Sequence, residues 1–242
     1  MSTLIELLYF VIIVPLAIVL ALIYKKYIKN LDAKYNIIFI GILTFLVRIL
    51  LVPFSGSIGQ MPYIMPNLLF YTLLTIFGTI FTIGFVLFIE NKSLKEIGWV
   101  FERKKLIKGT MWGLAAFLPM IAMFPLIIFL ANLKLSTSIT IEKLIIGIEF
   151  GIILGGFYEE TIFRGILQDY FNEITSRNKS ILYTALIFVA THIGYLPFTG
   201  FGIYYIFILV MAILLSLLRD KFDLFSCAIF HGGLVFILII FI

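Results

Sequence analysis

Charge is scarce in this chain. Asp, Glu, Lys and Arg supply 13% of its 242 residues, where a soluble domain averages near one quarter. Apolar residues make up 62%, with 26 phenylalanines, and they gather into repeated runs of roughly 18 or more, the length that crosses a bilayer. A water-soluble globule is thereby excluded. Cysteine is nearly absent as well: Cys227 stands alone, so no disulfide forms within the chain. Histidine occurs only at His192 and His231. There is no internal repeat, no low-complexity tract and no long linker, so residues 1–242 read as one membrane-embedded domain. The first apolar run, Leu4 to Tyr24, lacks a basic leader and a small-x-small cleavage site and ends at Lys25-Lys26, which predicts a retained span rather than a signal peptide.

Hydropathy over windows of about 20 residues predicts an all-α, polytopic transmembrane bundle of about eight spans. They fall near 4–24, 35–52, 67–89, 110–132, 144–171, 181–196, 202–218 and 224–242. With the N-terminus outside, the inner loops collect fourteen of the eighteen lysines and arginines, as the positive-inside rule requires. The outer loops keep Lys134 and Lys143. Arg48 and Arg164 lie within spans, Arg48 near enough to an end to snorkel. The net charge of +5 is thus explained by topology, and no nucleic-acid partner is expected. The largest polar stretch, "NKSLKEIGWVFERKKLIKG" from Asn91 to Gly109, reads as a solvated inner loop. The alternative is an interfacial helix with Leu94, Ile97, Trp99 and Val100 against the headgroups.

Ionisable groups inside spans are costly and usually face the bundle interior. "FYEETIFRG", Phe157 to Gly165, puts two carboxylates and an arginine in the fifth span. Gly147, Gly151 and Gly155 recur every four residues, a small-residue stripe for close helix packing, and the next step lands on Glu159. Glu160 is turned aside and stands at i,i+4 from Arg164, so the two can neutralise each other. His192 ends "FVATH" in the sixth span, four residues after Phe188, and His231 lies in "CAIFHGG" of the eighth. At 1.5 Å per residue, Glu159, Glu160 and His192 lie roughly 17 Å from the inner ends of their spans and His231 about 10 Å. All four side chains can therefore share a cavity between spans 5, 6 and 8. Singly, each has a structural reading: an interhelical hydrogen bond for either histidine, a neutralised pair for Glu160 and Arg164. Cys227 reads as a small core residue, since nothing supplies the electropositive setting a thiolate needs. Taken together at matching depth, the other residues point to a site.

The same residues resemble a known family. "EETIFR" matches an EExxxR motif, "FVATH" an FxxxH motif, and the histidine of "SCAIFHGGLV" a third motif. They resemble the CPBP intramembrane endopeptidases, which take in CAAX-type prenyl endopeptidases, bacteriocin-processing enzymes and Abi immunity proteins. The resemblance implies that Glu159 and His192 activate a water, with Glu159 as general base, and that His231 helps hold the oxyanion. Glu160, Arg164 and Phe188 would support the site. It implies a peptide or lipid-anchored protein substrate near the cytoplasmic face, within the bilayer of a prokaryotic plasma membrane, and no cofactor. A metal is disfavoured because HExxH spacing is absent, although Glu and His are zinc ligands. One position departs from the pattern: where the third motif continues as HxxxN or HxxxD, this chain has Val235, which cannot donate to an oxyanion. That favours, as the rival, a weakly catalytic or non-catalytic immunity-type protein. A proton-relay transporter fits less well, since the ionisable residues form one cluster rather than a path.

Overall fold

The computed structural model describes residues 2–51, 68–130, 138–193 and 202–241. The side chain of Arg48, Lys134 and the expected outer loop from Pro53 to Pro62 lie outside the described residues. Every regular element described is helical. Helix α1 is Ser2–Ile23, extended by a π-helical turn at Tyr24–Ile28, and α2 is Ala33–Leu51. Helix α3, Leu68–Gly84, likewise ends in a π turn at Phe85–Ile89. Helix α4, Arg103–Ala122, starts well ahead of the expected 110, and α5 follows at Phe124–Leu130. The expected fifth span is one long composite rod: α6 (Ile141–Ile146), a π segment (Gly147–Glu159), a second π segment (Thr161–Leu167) and α7 (Gln168–Ile174). Helices α8 (Arg177–Thr191), α9 (Ile203–Lys221) and α10 (Leu224–Phe241) complete the bundle.

Four of the described helices are long and apolar enough to cross a membrane, at Val11–Ile28, Thr72–Ile89, Arg103–Leu126 and Leu224–Phe241. Burial runs inside out, as lipid solvent demands. Val11, Ile12, Ile76, Ile80 and Leu118 are exposed, whereas Glu159, Glu160, Arg164, His192 and His231 are buried. With no water to receive them, polar groups must be satisfied by one another.

The glycine stripe of the fifth span faces α10, as its spacing predicts. A Cβ on Gly151 would sit 2.7 Å from the backbone nitrogen of Phe236 and 3.1 Å from the Gly232 carbonyl oxygen. One on Gly147 would meet the Phe236 ring at 2.8 Å. The helices thus touch backbone to backbone, which fixes the height of α10 against the π segment. Close approach of this kind is the use to which membrane bundles put small residues.

The polar stretch after α3 is neither a free solvated loop nor an interfacial helix. Ile97 and Trp99 are buried in the protein, Leu94 packs on the same core, and residues between Ser93 and Ile97 form hydrogen-bonded turns. Gly98, at φ +107°, lies against the Arg219 guanidinium, and its carbonyl accepts from the Leu224 backbone N–H at 3.1 Å. A second polar knot closes the same end of the bundle. Glu90 accepts from Tyr24 at 2.8 Å and from Tyr170 at 2.7 Å, joining the ends of α1, α3 and α7.

Because backbone, not a flexible side chain, would meet the new methyl, Gly151→Ala should destabilise the protein by about 1–3 kcal/mol. Gly41→Ala, with open space around its Cβ, should be neutral or slightly stabilising. Thermal unfolding of the two variants in detergent checks the pair; equal midpoints would contradict the contact.

Candidate active site

The π segment delivers two adjacent carboxylates to the middle of the bundle. Its i→i+5 bonding winds it more loosely than an α-helix, so residues four apart stay close to one face. Gly155 faces α10: a Cβ there would lie 3.7 Å from His231 Nε2 and 3.7 Å from Val235 Cγ2. Glu159, four residues on, is buried at the end of the segment. Glu160 follows, fully buried, and begins a different set of contacts.

One oxygen of Glu160 receives two donors. Arg164 Nη1 donates to Oε1 at 3.0 Å, and His231 Nδ1 lies 2.6 Å from the same atom. The i,i+4 pair is as the sequence predicts; the histidine contact across to α10 is not visible in any spacing. Arg164 is fully buried, donates from Nη2 to the Ala212 carbonyl of α9 at 3.2 Å, and holds its guanidinium 4.4 Å from the centre of the Phe188 ring. A buried guanidinium needs such partners, since it cannot lose its proton.

Phe188 is the hub on α8. Its ring lies 4.6 Å from the His192 ring and 5.6 Å, edge-on, from the His231 ring, with Phe163 edge-on at 4.9 Å. His192 caps its own helix: its backbone N–H turns back to Val189 and Ala190, and its Nδ1 lies 2.8 Å from the Phe188 carbonyl oxygen. A carbonyl only accepts, so Nδ1 carries the hydrogen and a neutral His192 keeps its lone pair on Nε2.

The same reasoning separates the second histidine. Glu160, paired with Arg164, accepts from His231 Nδ1. A neutral His231 therefore also presents a lone pair at Nε2, and only the doubly protonated ring can donate there. The two imidazoles are not equivalent. His192 is held by a backbone carbonyl and suits accepting from water, whereas His231 is held by a carboxylate.

The structure thus brings Glu160, Arg164, Phe188, His192 and His231 into one cluster, with Glu159 buried next in the chain and Val235 and His231 both close to Gly155. Sequence reasoning missed three neighbours. Trp99 Nε1 donates to Thr161 Oγ1 at 2.9 Å and its ring packs 5.1 Å from that of Phe157. Arg219 donates to the carbonyls of Arg164 and Ile97 at 3.2 and 3.1 Å. Ala212 offers only a backbone carbonyl and so leaves no sequence signal. Trp99 and Arg219 had one: an aromatic just after a polar turn and a cation in the last turn of α9. Among the described residues, no group of three or more His, Cys, Asp or Glu side chains is placed to hold a metal ion.

A helical bundle with a buried carboxylate, arginine and histidine cluster is an integral membrane protein with a polar site inside it. Residues 141–237 match the family model described as type II CAAX prenyl endopeptidase Rce1-like, and that segment of the chain is similar to this family. The match spans the whole composite rod, α8, α9 and most of α10, and so includes every residue of the cluster. No curated protein and no solved structure matches the chain.

Trp99 pins the preceding turns beneath the site, which gives a test that does not depend on activity. Trp99→Phe removes one hydrogen bond, about 0.5–1.5 kcal/mol, and should leave Lys92 and Lys95 resistant to trypsin. Trp99→Ala, at about 3–5 kcal/mol, should expose both sites to rapid cutting. Equal cutting of wild type and Trp99→Ala, followed by gel and mass spectrometry, would place Trp99 outside the protein core.

Proposed function

We propose that the protein is an intramembrane glutamate-type endopeptidase that hydrolyses a membrane-associated peptide or lipid-anchored protein near the cytoplasmic face. The observation that carries the reading is the Glu160–His231 contact at 2.6 Å, in a cluster that also holds Glu159 and His192 and that falls inside the matched protease segment. Peptide hydrolysis requires a water, a base and an anion stabiliser in one place. His192 Nε2 accepts from the water and Glu159 takes its proton as the hydroxyl adds to the scissile carbonyl. Protonated His231 donates from Nε2 to the developing oxyanion. The proton held by Glu159 then passes to the leaving amine as the C–N bond breaks. Glu160 and Arg164 touch none of the reacting atoms; they orient His231 and keep its charge balanced. No metal is needed for these steps. Loss of activity with a chelator, reversed by zinc, would overturn that part.

The location at the cytoplasmic face rests on the crowd of lysines and arginines at the end of the bundle that carries Trp99, Arg177 and Arg219. A CAAX-type substrate, with a lipid-bearing residue near its C-terminus, suits a site reached from that end.

A second reading, a binding protein of the immunity type, is favoured by Val235. It lies one helical turn beyond His231, and both side chains approach Gly155, at the position where the family motif has an oxyanion donor. Losing one donor lowers turnover on the order of 10²–10³. Two substitutions separate the readings. Glu159→Gln keeps the shape and removes the base, so it should abolish cleavage while the protein still accumulates in the membrane, and His192→Ala should behave alike. Val235→Asn should raise kcat with little change in KM. Near wild-type cleavage by Glu159→Gln would sink the mechanism; indifference of a protective function to both changes would establish the binder.

A further inference from the structure

A third intramembrane carboxylate lies away from the site. Glu149 sits on the π segment, ten residues before Glu159, where its Oε1 accepts from Thr72 of α3 at 2.8 Å. Its Oε2 is buried without a hydrogen-bond partner among the described residues. The hydroxyl of Thr75, a residue only 6% exposed, is in the same condition. Buried polar atoms of this kind are rarely left unsatisfied, and bound water is their ordinary partner.

The two orphans lie along one seam between α3 and the π segment. Helix α3 and the π segment run parallel, since Thr72 meets Glu149 and the space left by Gly78 is filled by Leu154, whose Cδ2 is 2.9 Å from a Cβ built there. At about 100° per residue, Thr75 lies midway between Thr72 and Gly78 in both height and angle. It therefore points at the π segment. Threonines at 72, 75, 79 and 82 share one arc of α3, while Ile76 and Ile80, 51% and 66% exposed, face the lipid. On the other wall, Glu149 and Leu154 are the residues that meet α3, at Thr72 and Gly78, and Glu159 follows about one π turn beyond Leu154.

We propose that this seam is a hydrated cleft that admits water, the second reactant of hydrolysis, from the end of the bundle that carries Lys143 toward Glu159, with Leu154 as its constriction. Thr72 and Glu149 form the mouth: both keep partial exposure, and a carboxylate turned to bare hydrocarbon is strongly disfavoured. Thr75 is the next station inward. The route is opposite to the basic end at which the peptide is proposed to arrive, so substrate and water need not share an entrance. Delivery of water to the reaction rests on the proteolytic reading; hydration of the cleft does not.

The test has two arms. Single cysteines are placed at Thr75, Ile76 and Ile80 in a Cys227→Ala background, in nanodiscs open on both faces. They are treated with a charged, water-soluble methanethiosulfonate, which reacts with thiolates in water and not with thiols in lipid. Thr75→Cys should react about tenfold faster than Ile76→Cys or Ile80→Cys, and Glu149→Ala, which widens the mouth, should not slow it. Equal, slow labelling at all three positions overturns the cleft. In the second arm, Thr75→Val, which keeps the shape and removes the hydroxyl, should lower kcat severalfold at unchanged KM. A labelled cleft with unaltered kcat overturns water delivery, whereas failure of the protease reading shows separately, in cleavage that survives Glu159→Gln.

Discussion

A guanidinium buried away from water has to be neutralised where it stands, and most of this molecule's interior is arranged around that requirement. Arg164 is fully buried and so is its partner Glu160. The pair draws its remaining contacts from three other helices: the Ala212 carbonyl of α9, the Phe188 ring of α8 and His231 of α10. Removing one member of a buried pair costs about 3–5 kcal/mol, because the other is left charged and unpaired. The network is thus a condition for the bundle to close, and the polar site is a by-product of the same condition.

Glu160 divides the labour of the two histidines through what each Nδ1 meets. A carbonyl holds His192 and a carboxylate holds His231, so chemically identical rings stand in different surroundings. Glu159, one residue along, is directed elsewhere by the helical twist. Two adjacent carboxylates can therefore differ in role without differing in kind. The glycine contacts at Gly147, Gly151 and Gly232 set α10 at the height that makes the Glu160–His231 contact possible.

Much of this was legible in the sequence. Over the described residues each apolar run lies on helix, because a run of that length has no other stable form in lipid. The Glu160–Arg164 pair follows from i,i+4 spacing, and the glycine stripe from its fourfold repeat. The π winding of 147–159 was not legible, since apolar periodicity does not report whether a carbonyl bonds four or five residues ahead. The His231–Glu160 contact joins helices far apart in the chain, and comparable depth could suggest only that they meet. The inward turn of Trp99 does not show in the sequence because Lys92, Ser93, Lys95 and Glu96 dominate the average polarity of a stretch in which only Ile97 and Trp99 of the larger apolar side chains are buried. The start of α4 was placed late for a similar reason: Arg103, Lys104 and Lys105 are helical but sit beyond the apolar run. The seam of Thr72, Thr75 and Glu149 shows as a polar arc only when α3 is laid against the π segment.

The account's central claim is that Glu160 and Arg164 act as one buried unit on which the site is built. A double-mutant cycle on unfolding free energy in bicelles tests it directly, with Glu160→Gln, Arg164→Met and the two combined. Each single change should destabilise by about 3–5 kcal/mol, and the double should lose far less than their sum, since no unpaired charge remains. Additive losses, or single changes that leave stability untouched, would contradict the account.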